Sequence, residues 1–428
     1  ELDKQKERFI NGALKNGITK DVANYVFTKI EPFADYGFNK SHAVAYALIA
    51  FQTAFLKTYY KEEFIAASMS TILTSTGKLR EYVEELKRLK VEVIHPSINN
   101  CFADFKADTN KIFYGLGAIK SVGYEAISNI IREREKKGKF KSFLDFINRV
   151  NPKDINKLQL EGLVKAGAFD ELENNRKKIL ISIPKIIQTI KNRHEEKSGN
   201  QANLFDDEAN SENEVFEFNS SEVWTKKELL AEEFTSLGFY LSDHPLNEYK
   251  EFFSHLKIES YKNFMLQSPS EGLVAGTIMS IQEKKSSKGT PFAIIKFSDH
   301  ISEYELFLFS DLLIKNREKL KESNSFVLTL QKDKTTSEHN LPRVNVRKVV
   351  DLSDLVNKTY DKVSIELNYN ENLKELDDLL KPGGNTKINI IIKKEKKIYK
   401  FELENTRKFD FATFNTIKDK QFVKKISF

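Results

Sequence analysis

Apolar residues spaced three and four apart recur through residues 1 to 95 and predict helices over Lys4 to Asn16, Thr19 to Ile30, Ser41 to Tyr59, Lys61 to Thr74 and Gly77 to Leu89. His95-Pro96 ends this block, and a polar and aromatic stretch, Asn99 to Phe113, predicts a hairpin-like connector to a second helical region, Gly123 to Phe169. Hydrophobicity then falls from Lys191 to Glu222, which predicts an extended, largely disordered linker. Beyond a helical segment through Leu237 the rhythm changes to short alternating or apolar runs, Leu273 to Gln282, Thr290 to Asp299, Ser302 to Phe309, Phe326 to Lys332 and Arg343 to Val350. One helix, Asp311 to Lys321, falls between the third and fourth of these strands. The last piece predicts a strand, Val363 to Leu367, a helix, Leu373 to Leu380, a break at Pro382-Gly383-Gly384, and two further strands.

Five strands with a helix after the third is the order of an OB-fold barrel, a frequent oligonucleotide platform. The expected fold class is therefore multidomain: all-α regions first, then a β-barrel of the OB type, then a small α+β domain. At 428 residues the chain exceeds what one hydrophobic core usually serves, which agrees with several modules. The longest wholly apolar run, Ala43 to Phe51, is too short to span a bilayer. One cysteine, Cys101, excludes an internal disulfide and a cysteine-rich zinc site, and it suits a reducing, cytoplasmic setting. The amino terminus, Glu1-Leu2-Asp3, lacks an initiator Met and a cationic-then-apolar leader, and the expectation is a piece of something longer. The formal charge of +6 is unevenly spread, because residues 206 to 222 hold seven acids and no Lys or Arg. A basic body with an acidic connector is compatible with a nucleic-acid partner.

Three constellations carry candidate chemistry. In "FADYGFNKSHAVAYALIAFQTAFLK" Ser41 is a favourable N-cap, and a helix so apolar is expected to be buried. Its amino terminus, with Asn39, Lys40, Ser41 and His42, would then make a place for a phosphate. The second is "YGLGAIKSVG", where Gly115, Gly117 and Gly123 permit a tight hairpin and Lys120 and Ser121 stand before the helix from Tyr124 to Arg134. Its pattern resembles a helix-hairpin-helix motif, which presents backbone N–H groups to a DNA phosphate; a looser copy occupies Phe143 to Phe169. The third, "QANLF", places Leu204 and Phe205 in a polar segment with no core to join, as a short docking peptide would. Lys284, Lys285 and Lys288, expected in the loop between the first two strands of the barrel, are candidate single-strand contacts. The seven histidines lack metal-ligand spacing, and neither a phosphate-binding Walker loop nor a Ser/His/Asp order stands out, so no catalytic residue is assigned.

Taken together, "FADYGFNKSHAVAYALIAFQTAFLKTYYKEEFIAA", "YGLGAIKSVG", "LVKAGAFD", "QANLF" and "LGFYLSDHPL", in this order, resemble the carboxy-terminal part of the bacterial DNA polymerase III alpha subunits, replicative polymerases of the C family. The resemblance implies that residues 1–98 are the end of the fingers and 99–236 a helix-hairpin-helix domain binding duplex and clamp. It further implies that 237–352 are an OB-fold for single-stranded DNA and 353–428 a domain contacting the clamp loader's tau subunit. It makes Gln201, Leu204 and Phe205 the contacts to the sliding clamp, and Asn39, Lys40, Ser41 and His42 the surroundings of an incoming deoxynucleoside triphosphate. The family's catalytic aspartates and their Mg²⁺ belong to an upstream palm domain, so this chain alone is expected to be inactive. Two other readings are compatible with the sequence: a non-enzymatic DNA-binding adaptor, and an error-prone polymerase paralogue.

Overall fold

The computed structural model describes residues 2–34, 40–198, 216–266, 270–333, 342–358, 360–368, 372–394 and 397–428. Five helices open the chain: α1 (Leu2–Lys15), α2 (Lys20–Ala34), α3 (Lys40–Tyr59), α4 (Lys61–Ser70) and α5 (Thr76–Arg88). The periodic spacing placed all five closely. It did not foresee the surroundings of α3, whose residues from Ser41 to Tyr59 are exposed on every side, Val44, Phe51 and Tyr59 among them. The expectation of a buried helix is thus corrected: an apolar sequence favours burial, but only a complementary surface supplies it, and nothing described in this chain covers α3.

A continuous core starts at α4 with Ile65 and Met69, takes in Leu79, Val83 and Leu86 of α5, and runs through to Leu241. Within it lies a small sheet, so the region is not all-α. Strands β1 (Glu92–Ile94), β2 (Lys106–Asp108) and β3 (Lys111–Phe113) stand in the order β1-β3-β2. The β2–β3 turn places Asn110 at a φ of 56°, a conformation that Asn tolerates. Helices α6 (Tyr124–Lys137), α7 (Phe143–Arg149), α8 (Lys157–Lys165) and α9 (Arg176–Ser198) follow.

The linker expected over 191–222 is corrected at both ends, while residues 199–215 lie outside the described residues. Helix α9 continues to Ser198, and Phe216 and Phe218 pack on Phe143, with ring centroids 6.4 and 5.5 Å away. Ser182 and Lys185 of α9 hold the same stretch, the Ser182 hydroxyl accepting from the Asn219 N–H at 2.8 Å. Two aromatic rings anchor a segment whose average composition is too polar to announce a core contact. Helix α10 (Lys226–Leu237) begins with a Thr225/Glu228 capping box and ends at Gly238, whose φ of 84° suits glycine.

The next unit holds α11 (Lys250–His255), β4 (Ile258–Glu259), α12 (Tyr261–Leu266), β5 (Glu271–Lys285), β6 (Pro291–Ser298), β7 (Glu303–Phe309), α13 (Ser310–Asn316), β8 (Ser325–Lys332), β9 (Val344–Asp351) and α14 (Leu352–Val356). The five long strands form an antiparallel path β7-β6-β5-β8-β9, with β4 added beside β5. Tyr304, Leu306 and Leu308 of β7 point inward while Glu305, Phe307 and Phe309 point out. Strand number, strand order and the helix after the third long strand agree with the sequence reading. Closure does not: among the described residues no ladder joins β7 to β9, and a groove occupies that seam, so the expected barrel is an open, curled sheet.

The last unit contains β10 (Lys362–Leu367), α15 (Leu373–Leu379), β11 (Pro382–Lys394), β12 (Lys397–Glu402), α16 (Phe411–Lys418) and β13 (Val423–Ser427), in the sheet order β12-β11-β10-β13. It is mixed α and β, as expected. Pro382-Gly383-Gly384 begins β11 instead of breaking the chain. A Cβ at Gly384 would collide with the Arg407–Lys408 backbone, so the glycine permits a close approach of two chain segments.

Candidate nucleic-acid interfaces

The first interface is built around the amino terminus of α6. A 3-10 turn, Leu116–Ala118, leads into Ser121 at a φ of 65° and then to Gly123, which caps α6 without a side-chain hydrogen bond. The first N–H groups of α6 therefore lack a side-chain cap, and Lys120, Ser121, Gly123 and Tyr124 are exposed around them. The Tyr124 hydroxyl donates to Asp104 Oδ2 at 2.5 Å, and this bond to the carboxylate raises its pKa.

Helix α8 packs directly against the hairpin. A Cβ at Gly162 would lie 2.7 Å from the Lys120 carbonyl oxygen, so only glycine allows this approach. The α8 N-cap, Asn156, forms a capping box with Gln159, and the Gln159 amide would be 3.2 Å from a Cβ at Gly123. The starts of α6 and α8 therefore lie side by side, and exposed Lys157 joins the surface. Beyond α8 a second turn places Gly167 at a φ of 83°. It is fixed by a two-bond fork from Arg176 to Asp170, at 2.8 and 2.6 Å, and by Arg176 donating to the Lys165 carbonyl at 3.1 Å.

Of the five residues singled out here, Lys120, Ser121 and Gly123 reach the surface together. Gly115 and Gly117 have another role. Their Cβ atoms would lie 2.9 Å from the Phe105 backbone nitrogen and the Ala103 carbonyl oxygen respectively, so these glycines let the 102–105 segment approach, and Gly115 is buried. Tyr124 and Lys157 escaped the sequence reading because their placement depends on α6 meeting α8.

The second interface is the open seam between β7 and β9. A groove of about 690 Å³ is lined there by Tyr261, Phe292, Phe307, Phe309, Arg343 and Asn345, among others. Phe307 and Phe309 are about half exposed, and the Phe292 and Phe307 rings lie 6.4 Å apart with their planes inclined by 29°. Lys284 and Lys285 belong to strand β5 and pair with Phe292 and Pro291, which corrects their expected place in a loop; Lys288 does lie in the β5–β6 turn. All three are exposed beside one end of the groove, where Ser286 and Thr290 line it. Alternation along β7 could have shown that Phe307 and Phe309 face outward.

The remaining candidate residues are not assembled into a site. Asn39 lies outside the described residues, Lys40 is the first residue of α3, and Ser41 and His42 are exposed, with the His42 ring 4.5 Å from that of Tyr46. Gln201, Leu204 and Phe205 also lie outside the described residues. Among the described residues no cluster of His, Cys, Asp or Glu is arranged to hold a metal ion, and no helix is long and apolar enough to cross a membrane.

Comparison with known proteins agrees with this arrangement. A family model described as a helix-hairpin-helix motif matches residues 90–179, which include both hairpins. The DNA polymerase III subunit alpha of Caulobacter vibrioides is 34% identical over 77% of this chain and 29% of its own length. That of Borreliella burgdorferi is 34% identical over 88% of this chain and 33% of its own length, and that of Vibrio cholerae 33% over 86% and 32%. The chain thus spans about a third of the length of the relatives it matches. Matched along most of its sequence and containing the helix-hairpin-helix region, the chain is similar to a part of the bacterial DNA polymerase III alpha subunits.

Proposed function

We propose that this segment holds DNA for a replicative polymerase, with the paired hairpins gripping the duplex and the groove of the open sheet receiving the single strand. The observation that carries this reading is the uncapped amino terminus of α6, exposed beside that of α8 with Lys120, Ser121 and Lys157 around them. Backbone N–H groups at a helix start favour an anion, and a phosphate held there fixes register without reading bases. The order of the five long strands and the helix after the third support an OB-type platform, whose aromatic groove suits base stacking.

Polymerisation belongs to the whole subunit. Its catalytic aspartates and Mg²⁺ are assigned to a palm domain outside this segment, which then contributes no catalytic residue. Asn39 to His42 are assigned to the incoming nucleotide, Gln201, Leu204 and Phe205 to the sliding clamp, and the unit after residue 352 to the tau subunit; each assignment rests on the family resemblance.

A Ser121→Asp substitution tests the central element. A carboxylate before α6 is compatible with the helix dipole, so the melting temperature should hold, while repulsion of phosphate should weaken duplex binding about tenfold or more. Unchanged affinity in a titration with a fluorescent duplex would remove the hairpin from the interface. Complete indifference of the wild-type chain to duplex DNA would remove the reading itself.

A further inference from the structure

The carboxy-terminal end of α6 carries a second feature. Between residues 136 and 141 stand Lys136, Lys137, Lys139 and Lys141, all exposed, with no acid among them. A lysine run is ordinarily a solvated face. Here the backbone beneath it is clamped. Arg149 donates to the carbonyls of Gly138 at 2.8 Å, Glu133 at 3.2 Å and Lys139 at 3.4 Å, and its guanidinium lies 4.4 Å from the Phe140 ring centroid. From the other side the Asn99 amide both donates to the Phe140 carbonyl, at 2.9 Å, and accepts from its N–H, at 2.8 Å. Phe140 itself is 2% exposed and packs on Phe146. Gly138, at a φ of 80°, makes the turn that no β-carbon crowds.

The side chains divide into two kinds. Lys137 pairs with Glu133 at 3.0 Å, and Lys139 donates to Asn100 Oδ1 at 2.5 Å, whereas Lys136 and Lys141 have no ion pair among the described residues. The segment 98–104 runs beside α6 and connects the two ends of this helix. Arg134 donates to the carbonyls of Ile98 and Cys101, Lys139 meets Asn100 near the carboxy-terminal end, and Tyr124 meets Asp104 at the amino-terminal end. The basic turn and the uncapped helix start therefore border one segment, separated by the length of a 14-residue helix, about 20 Å. That distance is about six base-pair steps of 3.4 Å along the duplex axis.

We propose that the clamped turn from Lys136 to Lys141 is a second contact to duplex DNA, binding backbone phosphates about half a helical turn from those at the α6 amino terminus. This inference rests on the duplex-binding reading above. Lys136, Lys139 and Lys141 supply the charge; Asn99 and Arg149 are positioning residues that hold the turn in place. A rigid turn loses little order on binding, which is what sets it apart from a flexible lysine tail.

The test is a titration of the 428-residue chain with a fluorescent 20-base-pair duplex at several salt concentrations, with Lys136→Ala/Lys139→Ala/Lys141→Ala and the corresponding Lys→Arg triple in parallel. The Ala triple should lower the slope of log affinity against log salt by about 2 to 3, at roughly 0.9 per phosphate, and weaken binding about tenfold at moderate salt; the Arg triple should restore both. An Ala triple with wild-type slope and affinity, while Ser121→Asp weakens binding, overturns the second contact alone. A wild-type chain that does not bind duplex overturns the hairpin reading and this inference together. An effect confined to single-stranded DNA also overturns the proposal, which is specific to duplex.

Discussion

The side chain of His244 shows how one residue reports the union of two parts of the molecule. It sits after α10, shares a 3.0 Å hydrogen bond with the Ser298 hydroxyl of β6, and accepts from the Leu246 N–H at 3.2 Å. Burial first, then the nearby charges of His300 and Arg80, lower its pKa from 6.5 to about 3, against an opposing contribution from Asp243. The folded state thus refuses a proton that the unfolded chain accepts. The associated stability is fully present above about pH 6.5 and is lost as pH falls from there toward 3, at up to about 1.4 kcal/mol per pH unit. His300 is shifted in the same direction, so the prediction is a difference: His244→Gln should flatten the decline in melting temperature below pH 6.5. Superimposable pH profiles for the two proteins would discard it. Gly162 offers a second residue-scale prediction. In Gly162→Ala the new methyl would lie 2.7 Å from the Lys120 carbonyl, prising α8 from the hairpin, and a loss of about 1–3 kcal/mol in denaturant melts is expected. A stability equal to wild type would show that the backbone gives way freely.

Strand β7 illustrates the scale of the element. Its alternation places Tyr304, Leu306 and Leu308 in the core, leaving Phe307 and Phe309 about half exposed on the groove side. Exposed phenylalanines facing a seam beside Lys284, Lys285 and Lys288 suit stacking of unpaired bases. Replacing both by Ala should weaken binding of a short single strand by about 1–3 kcal/mol for each base unstacked, with duplex binding preserved. Equal loss for duplex and single strand would indicate a damaged sheet, and no loss would empty the groove of this role. The Arg149 and Asn99 clamps make the complementary point: an exposed loop can be as firmly built as a helix when well-packed side chains hold its carbonyls.

For the whole molecule, the core that begins in α4 runs to Leu241, and two further cores serve the later units. Helix α3 stands outside all of them. If the proposed function holds, Lys40→Ala in a complete polymerase is expected to raise the KM for nucleotide. An unchanged KM would withdraw Lys40 from the nucleotide site. Clamp tethering is likewise tested by binding: Gln201→Ala/Leu204→Ala/Phe205→Ala should abolish capture of the matching sliding clamp by this chain. A variant that retained the clamp would move that contact elsewhere.

Much of the architecture was legible from order and spacing. Helix periodicity fixed α1 to α5 within a few residues, period-two runs fixed the five long strands, and "YGLGAIKSVG" marked the hairpin, because these signals depend on neighbours a few positions apart. Tertiary structure decided the rest. It left apolar α3 uncovered, packed Gly115 and Gly117 beneath the 102–105 segment, docked Phe216 and Phe218 from an acidic stretch, and held the sheet open at β7 and β9. The physical reason is the same in each case: a sequence states which groups would gain from a partner, whereas burial, closure and close approach depend on whether distant segments bring that partner within reach.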